Sequence, residues 1–379
     1  VDGVMDFSWS PDQQARYDEI LAAVREAFPF DERGYSREDW KTLGRLGVLG
    51  ASVPTAYGGR GGSALDAAAV FEAAGRGCAD TGLVFAAAAH LFACVMPIAE
   101  FADESLRRSL LPRMSAGELV AGNAATESDA GSDLSHLGTE ATKVDGGFLL
   151  NGTKSFVSNG PEADVYVTYA TTDRAAGHLG ITGFVVDRAT AGVNAGPPME
   201  KMGLRSCPAG TVTFDDCFVP DERVLGPVGG GTAVFRHSMI WERTCLFALY
   251  LGVQQRLLDR CVAHVRQRRQ FGRRLGYFQS VANRVVDMKL RLDSGRLLLH
   301  RACWQWDRGE DAGLATALAK LAVSEAAVAS AQDAIQLFGA RGYLHGEGIE
   351  AALRDAVPAT IFSGTSEIQR TIVAKELGL

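Results

Sequence analysis

Glu242 stands four, seven and eleven residues before Leu246, Leu249 and Val253, offsets that put a carboxylate on the apolar, core-facing stripe of a helix. A buried carboxylate costs roughly several kcal/mol unless it is paired or neutral. The residue therefore reads either as half of a structural ion pair, or exposed near the helix start, or as a desolvated general base whose pKa burial raises. Three other segments carry reactive side-chain types at close spacing. Thr126-Glu127-Ser128-Asp129-Ala130-Gly131-Ser132-Asp133 gathers hydroxyls and carboxylates, a composition that also suits ordinary turns. In Phe362-Ser363-Gly364-Thr365-Ser366-Glu367-Ile368-Gln369-Arg370 glycine and hydroxyl residues open a short terminal helix, where backbone N–H groups are capped or receive an anion. Arg266, Arg268, Arg269, Arg273 and Arg274 form a solvated face or a set of phosphate ligands.

Several other chemistries lack their residues. The histidines, at 90, 136, 178, 237, 264, 300 and 345, show no ligand spacing with cysteine or carboxylate, so no metal is expected. No G-x-S-x-G elbow is present, which argues against acyl hydrolysis. No G-x-G-x-x-G follows a strand, and the glycine-rich stretch at 54–62 lacks the Lys-Ser/Thr of a phosphate loop. Any nucleotide cofactor must be held another way.

The chain that positions these groups has 379 residues, 47% hydrophobic and 22% charged, which suits two or three packed domains and excludes global disorder. With 38 basic against 45 acidic residues, its net charge of −7 makes nucleic acid an improbable partner. Seven scattered cysteines without a C-x-x-C pair read as reduced and mostly buried, with the cytoplasm as default location. Val1-Asp2-Gly3-Val4-Met5-Asp6 shows no basic and apolar leader pattern, so no secretory signal is expected. The uncharged run 82–99 is interrupted by His90 and Pro97 and reads as a buried helix rather than a membrane span.

Helical patterns occupy 13–27, 37–46, 64–76, 82–101 and 104–114. From about 119 to 225 the period changes. Asn151-Gly152, after Phe148-Leu149-Leu150, signals a tight hairpin, and Val165, Val167 and Tyr169 alternate, followed by strands at 181–187 and 211–214. This third predicts a barrel or sandwich. Thereafter long stripes return (Leu246, Leu249, Val253, Leu257 and Cys261; then Val281, Val285, Met288, Leu292 and Leu299; then the Ala-rich run 314–338), predicting an antiparallel helical bundle.

In order, the segments at 126–133, Asn151-Gly152-Thr153-Lys154-Ser155-Phe156-Val157-Ser158-Asn159-Gly160, Arg268-Arg269-Gln270-Phe271-Gly272, Gln336-Leu337-Phe338-Gly339, Arg354-Asp355 and Gly364-Thr365-Ser366-Glu367-Ile368-Gln369-Arg370 resemble the successive signatures of the acyl-CoA dehydrogenase family over nearly the whole chain. The resemblance implies a mainly α fold with a central β-domain: an N-terminal helical domain (1–117), a middle β-barrel (118–228) and a C-terminal four-helix bundle (229–379). It implies FAD. Ala125 and Thr126 would face the flavin pyrimidine, with Ser132 toward the substrate. Phe156, Val157 and Ser158 would line the isoalloxazine; many relatives have Trp and Thr at the first and last of these. Arg268, Phe271 and Gln279 would bind the pyrophosphate and adenine side. Gln336, Gly339 and Ala340 would reach the FAD of a neighbouring subunit in a homotetramer or homodimer, and Thr365 and Glu367 would close over the cofactor.

Many members of that family carry glutamate immediately before the Gly-Thr of the C-terminal motif, where this chain has Ser363. A minority, including isovaleryl- and long-chain acyl-CoA dehydrogenases, places the base on the first long bundle helix in a Glu-Arg pair, matched here by Glu242-Arg243. Periodicity and resemblance thus meet at Glu242 as the catalytic base. The implied reaction is α,β-dehydrogenation of an acyl thioester. Glu242 would take the α-proton, the β-hydrogen would pass as hydride to flavin N5, and the N–H of Ser363, beside Gly364, would bind the thioester carbonyl. Phe278-Gln279-Ser280-Val281-Ala282-Asn283-Arg284 also looks like dehydrogenases of natural-product clusters, which favours an acyl or aminoacyl group on a carrier protein over acyl-CoA. Trp241 would bound the acyl pocket. Electron-transfer flavoprotein or oxygen would reoxidise the cofactor. A flavin-dependent monooxygenase of the same fold and a noncatalytic thioester-binding protein are the rival readings.

Overall fold

The computed structural model describes residues 9–29 and 34–379; the leader reading of Val1 to Asp6 lies outside them. Helices at Pro11–Ala27, Arg37–Arg45, Ala64–Gly77, Thr81–His90, Met96–Phe101 and Glu104–Ser115 build the N-terminal part. Their starts follow from local chemistry. Ser10 and Gln13, and Ser63 and Asp66, form reciprocal capping boxes, and Asp80 accepts from the Leu83 N–H, each satisfying otherwise orphaned donors. The apolar window of Thr81–Phe101 is wholly buried inside the protein; Gly313–Phe338 is also long and apolar enough to cross a membrane, and 61% of its apolar window is buried.

Eight strands follow. Val193–Ala195, Ala209–Pro220, Gly147–Ser158, Glu140–Val144, Val165–Thr171, Ile181–Asp187 and Val224–Leu225 lie side by side in that order, and Ala121–Ala124 pairs in parallel with Val165–Thr171. They enclose their own apolar core, which includes Phe148, Leu150, Tyr166, Phe184 and Phe214. Asn151-Gly152 is not the hairpin turn expected above. The strand Gly147–Ser158 runs straight through it, and the turn falls at Asp145-Gly146, between the paired residues Val144 and Gly147, with Gly146 at φ 74°. Asn151 instead exchanges hydrogen bonds with Asp216 across the sheet at a register shift between Leu150 and Gly152. At that bulge Gly152 lies against Thr139 with no room for a Cβ, so this glycine serves close approach rather than a turn.

The C-terminal helices include Gly231–Trp241, Ala248–Gln267, Gln279–Asp307 and Gly313–Phe338, followed by Ile349–Ala356 and Ser366–Glu376. Ala248–Gln267 lies on Ala64–Gly77 backbone to backbone, because Gly75 faces Leu249 and Gly252 faces Glu72 where a Cβ would collide. The buried Glu72 receives Arg296 from the next bundle helix at 2.7 Å. These contacts join the helical parts into one core and fix the helix that carries Glu242. All seven cysteines are free and buried.

Candidate active site

Both helices that flank the site contain a π-helical turn, Leu91–Val95 in one and Glu242–Leu246 in the other. The wider turn re-aims side chains and is concentrated at functional sites. The two turns meet through a stacked pair, Phe92 and Trp241, with ring centroids 6.1 Å apart. Glu242 opens its turn and is buried, 6% exposed. The Ser363 hydroxyl donates to its Oε2 at 2.8 Å, while Oε1 is buried without a hydrogen-bond partner. Burial pushes the Glu242 carboxyl up to about 7, against the pull of the Ser363 hydroxyl and of Arg243. One oxygen is thus held and the other is left for a ligand, at a pKa suited to a general base near neutrality.

Arg243 does not pair with the carboxylate of its neighbour in sequence. Its Nε donates to the Ser363 carbonyl at 3.0 Å, and Gln369 Nε2 donates to the same carbonyl at 3.3 Å and to that of Gly364 at 2.9 Å. Ser363 is thereby held at φ 54°, a left-handed conformation costly for a residue with a Cβ.

Glu242 lines a cleft of about 320 Å³ between the sheet and the helices. The cleft brings together Ala125, Thr126 and Ser132 of the first segment, Phe156 and Ser158 of the second, and Ser363, Gly364 and Thr365 of the C-terminal motif. Thr365 also caps the last helix, accepting from the Ile368 N–H. Phe156, at φ 57°, is 65% exposed, a bare aromatic face next to the hydroxyls of Thr126 and Ser158. A flat aromatic ring system with a polar edge fits that donor set and slot, so the residues present suit the isoalloxazine of FAD.

Other expected site residues lie elsewhere. The Val157 side chain is buried in the core of the sheet and does not line the cleft, because the strand's alternation turns it inward. Trp241 packs on Phe92 and Trp306, with Nε1 donating to Glu100, and does not bound the cleft. Arg268, Phe271 and Gln279 are exposed at and beside the small hairpin Arg269–Gln270 and Arg273–Arg274, away from the cleft in this single chain. Gln336, Gly339, Ala340 and Glu367 are likewise exposed and outside it.

Two positioning groups escaped the sequence reading. Lys154, fully buried, donates to Glu127 Oε1 at 2.7 Å and to the Tyr169 carbonyl at 2.6 Å, and Glu127 accepts from the Gly138 and Thr139 N–H groups. This pair clamps the loop on which Thr126 sits. Both residues stand inside quoted motifs, but nothing in their spacing shows that they meet. Asn159, at φ 61°, gives its amide to the carbonyls of Ala86 and Ala121 and so ties the sheet to the helix Thr81–His90.

Comparison with known proteins extends this picture. The family models for the acyl-CoA dehydrogenase N-terminal, middle and C-terminal domains match residues 13–118, 122–217 and 229–378. The chain is 49% identical to an L-prolyl-(peptidyl-carrier protein) dehydrogenase of Pseudomonas fluorescens (strain Pf-5), covering 99% of this chain and 100% of that one. A solved structure described as PigA with FAD and proline superposes with a TM-score of 0.96 at 41% identity, over 99% of this chain and 100% of that chain. The prolyl acyl carrier protein oxidase AnaB superposes with a TM-score of 0.95 at 37% identity, over 98% and 100%.

Proposed function

The chain belongs to the acyl-CoA dehydrogenase family, and from that premise we propose that it oxidises the Cα–Cβ bond of an L-prolyl thioester borne on a peptidyl carrier protein. The observation that carries the chemistry is the buried, unpartnered Oε1 of Glu242 in the cleft. FAD, when bound, supplies the two-electron acceptor that takes the β-hydrogen as hydride. Thr126, Phe156, Ser158 and Thr365, which line the cleft, would hold the ring system, and Glu367, outside the cleft, would close over the rest of the cofactor. Glu242 removes the α-proton through Oε1 while the Ser363 hydroxyl keeps Oε2 in place. The Ser363 N–H binds the thioester carbonyl and acidifies the α-carbon. Burial of Glu242, 6% exposed, keeps bulk water away from the base.

The choice of a carrier-bound prolyl group draws on the relatives named above. The cleft shares Ser132, Leu134 and Phe235 with an apolar pocket of about 200 Å³, a passage for the thioester arm. The enzyme works in the cytoplasm as a homotetramer or homodimer in which the exposed Gln336, Gly339 and Ala340 meet a neighbouring subunit's cofactor, while Arg268, Phe271 and Gln279 serve its pyrophosphate and adenine side. Electron-transfer flavoprotein or oxygen is the final acceptor.

Anaerobic titration of the FAD-loaded protein with L-prolyl carrier protein, acylated carriers and acyl-CoAs tests this reading. Bleaching of the oxidised-flavin band by the prolyl carrier is expected. Bleaching by acyl-CoA alone overturns the carrier assignment, and no bleaching by any thioester overturns the dehydrogenase.

A further inference from the structure

We propose that Asn123 selects the acyl group, its side-chain amide hydrogen-bonding the ring N–H of an aminoacyl thioester bound in the cleft. Asn123 lies on the short strand Ala121–Ala124, opposite Val167. The Ala121 N–H donates to His90 Nδ1 at 2.9 Å, which docks the strand on the helix Thr81–His90. Two residues further on, Asn123 reaches the cleft wall with Phe85, Ala89, Ala93, Ala125 and Leu246. The side chains of these five lining residues are hydrocarbon. The Asn123 amide oxygen is buried and accepts no hydrogen bond, whereas the nearby amide of Asn159 donates to two carbonyls.

Buried polar groups are paired in the great majority of cases, and an exception within a cleft is a place where a ligand supplies the missing partner. The cleft holds two such acceptors, Glu242 Oε1 and Asn123 Oδ1. The first answers the proton that leaves Cα. The second has no counterpart in a hydrocarbon acyl chain, which would press on the amide and leave it unsatisfied. An α-amino acyl group places an N–H next to the reacting carbon and satisfies it. A site built to hydrogen-bond an N–H discriminates against the analogue that lacks one far better than an apolar pocket discriminates by shape. The assignment rests on the prolyl-thioester reading above and names the residue that enforces it.

The test compares L-prolyl carrier protein with cyclopentanecarbonyl carrier protein, a ring of the same size without the N–H, as reductants of the FAD-loaded wild type, Asn123→Leu and Asn123→Ala proteins. Wild type is expected to favour the prolyl thioester by about 10- to 100-fold in the rate constant for flavin reduction over Kd. Both variants are expected to lose that preference through a slower prolyl reaction, with the cyclopentanecarbonyl reaction unchanged or faster. Calorimetric binding of both thioesters to Glu242→Gln, with and without Asn123→Leu, should show the same loss of discrimination without turnover. Equal preference in wild type and both variants overturns the role of Asn123 and leaves the prolyl-thioester dehydrogenase standing. Loss of FAD from both variants also overturns it, because the residue would then serve the cofactor. Absence of bleaching by either thioester in wild type overturns both readings together.

Discussion

The Ser363 hydroxyl lies 2.8 Å from Glu242 Oε2 across 121 residues of sequence, and the serine that makes this contact is pinned in a left-handed conformation by Arg243 and Gln369 on its carbonyl. The C-terminal motif thus supplies the hydrogen bond that orients a base borne on another helix. Cys94 and Tyr169, whose own ionisation Glu242 disfavours, complete its surroundings, so apart from Arg243 no cation stabilises the carboxylate from close range among these neighbours.

The Glu242→Gln variant keeps the shape of the side chain and its contact with Ser363 but cannot accept the α-proton. It is expected to bind FAD normally and to lose flavin reduction by about 10²- to 10⁴-fold, the usual contribution of a positioned general base. Stopped-flow reduction by prolyl carrier protein decides the matter. Reduction at the wild-type rate would remove Glu242 from the mechanism.

Because the base must be ionised, the rate constant for flavin reduction over Kd should rise with pH through about 7. A hydrogen bond to the carboxylate favours its charged form, so removing the Ser363 hydroxyl moves that limb upward. Ser363→Ala and Ser363→Gly should share this shift and react roughly 3- to 10-fold more slowly than wild type at pH 6. They should differ in stability, with the glycine variant more stable than the alanine variant by about 1 kcal/mol because it relieves φ 54°. A limb that stays in place in both variants would show that the hydroxyl does not tune the base.

The raised pKa also has a stability consequence whose sign is fixed by linkage. Between the ordinary carboxylate value of 4.5 and about 7, the native state holds a proton on Glu242 that the unfolded chain has released. Stability therefore falls as pH rises through that window. Glu242→Gln removes the penalty, so its gain over wild type should be near zero at pH 4.5 and on the order of 3 kcal/mol at pH 8. Denaturant unfolding at the two pH values measures it. A gain independent of pH would mean that Glu242 is not desolvated as the structure has it.

The order of helices, strands and helices was legible because periodicity reports burial, and the burial of Glu242 was legible because the residue falls on a core stripe. What failed depended on partners distant in sequence. Asn151-Gly152 has the composition of a hairpin turn, yet Asp145-Gly146 takes that place because the strand pairing at Val144 and Gly147 closes there. Trp241 stands beside the base in sequence, but its position next to Glu242 at the start of a π-helical turn sends it to Phe92 and Trp306. Lys154 and Glu127, 27 residues apart, carry no pattern that announces a buried pair, and Asn123 is a single polar letter in a short strand.

That buried pair supports the last prediction. Burial pulls the Lys154 ammonium down to about 8, and Glu127 partly restores it; burial raises the Glu127 carboxyl, but the hydrogen bonds from Lys154 and Thr139 overcome this and hold it below its ordinary value. Lys154→Met would leave a buried carboxylate without its cation, a change that typically destabilises by about 3–5 kcal/mol. Adding Glu127→Gln keeps an acceptor for one of the Gly138 and Thr139 N–H groups, which use different carboxylate oxygens, and removes the stranded charge, so the double variant should recover part of the loss. FAD affinity should follow the same order, because Thr126 lies on the loop that the pair clamps. Denaturant unfolding together with FAD titration of the single and double variants checks both points, and a single variant as stable as wild type would show that the pair does not hold the loop.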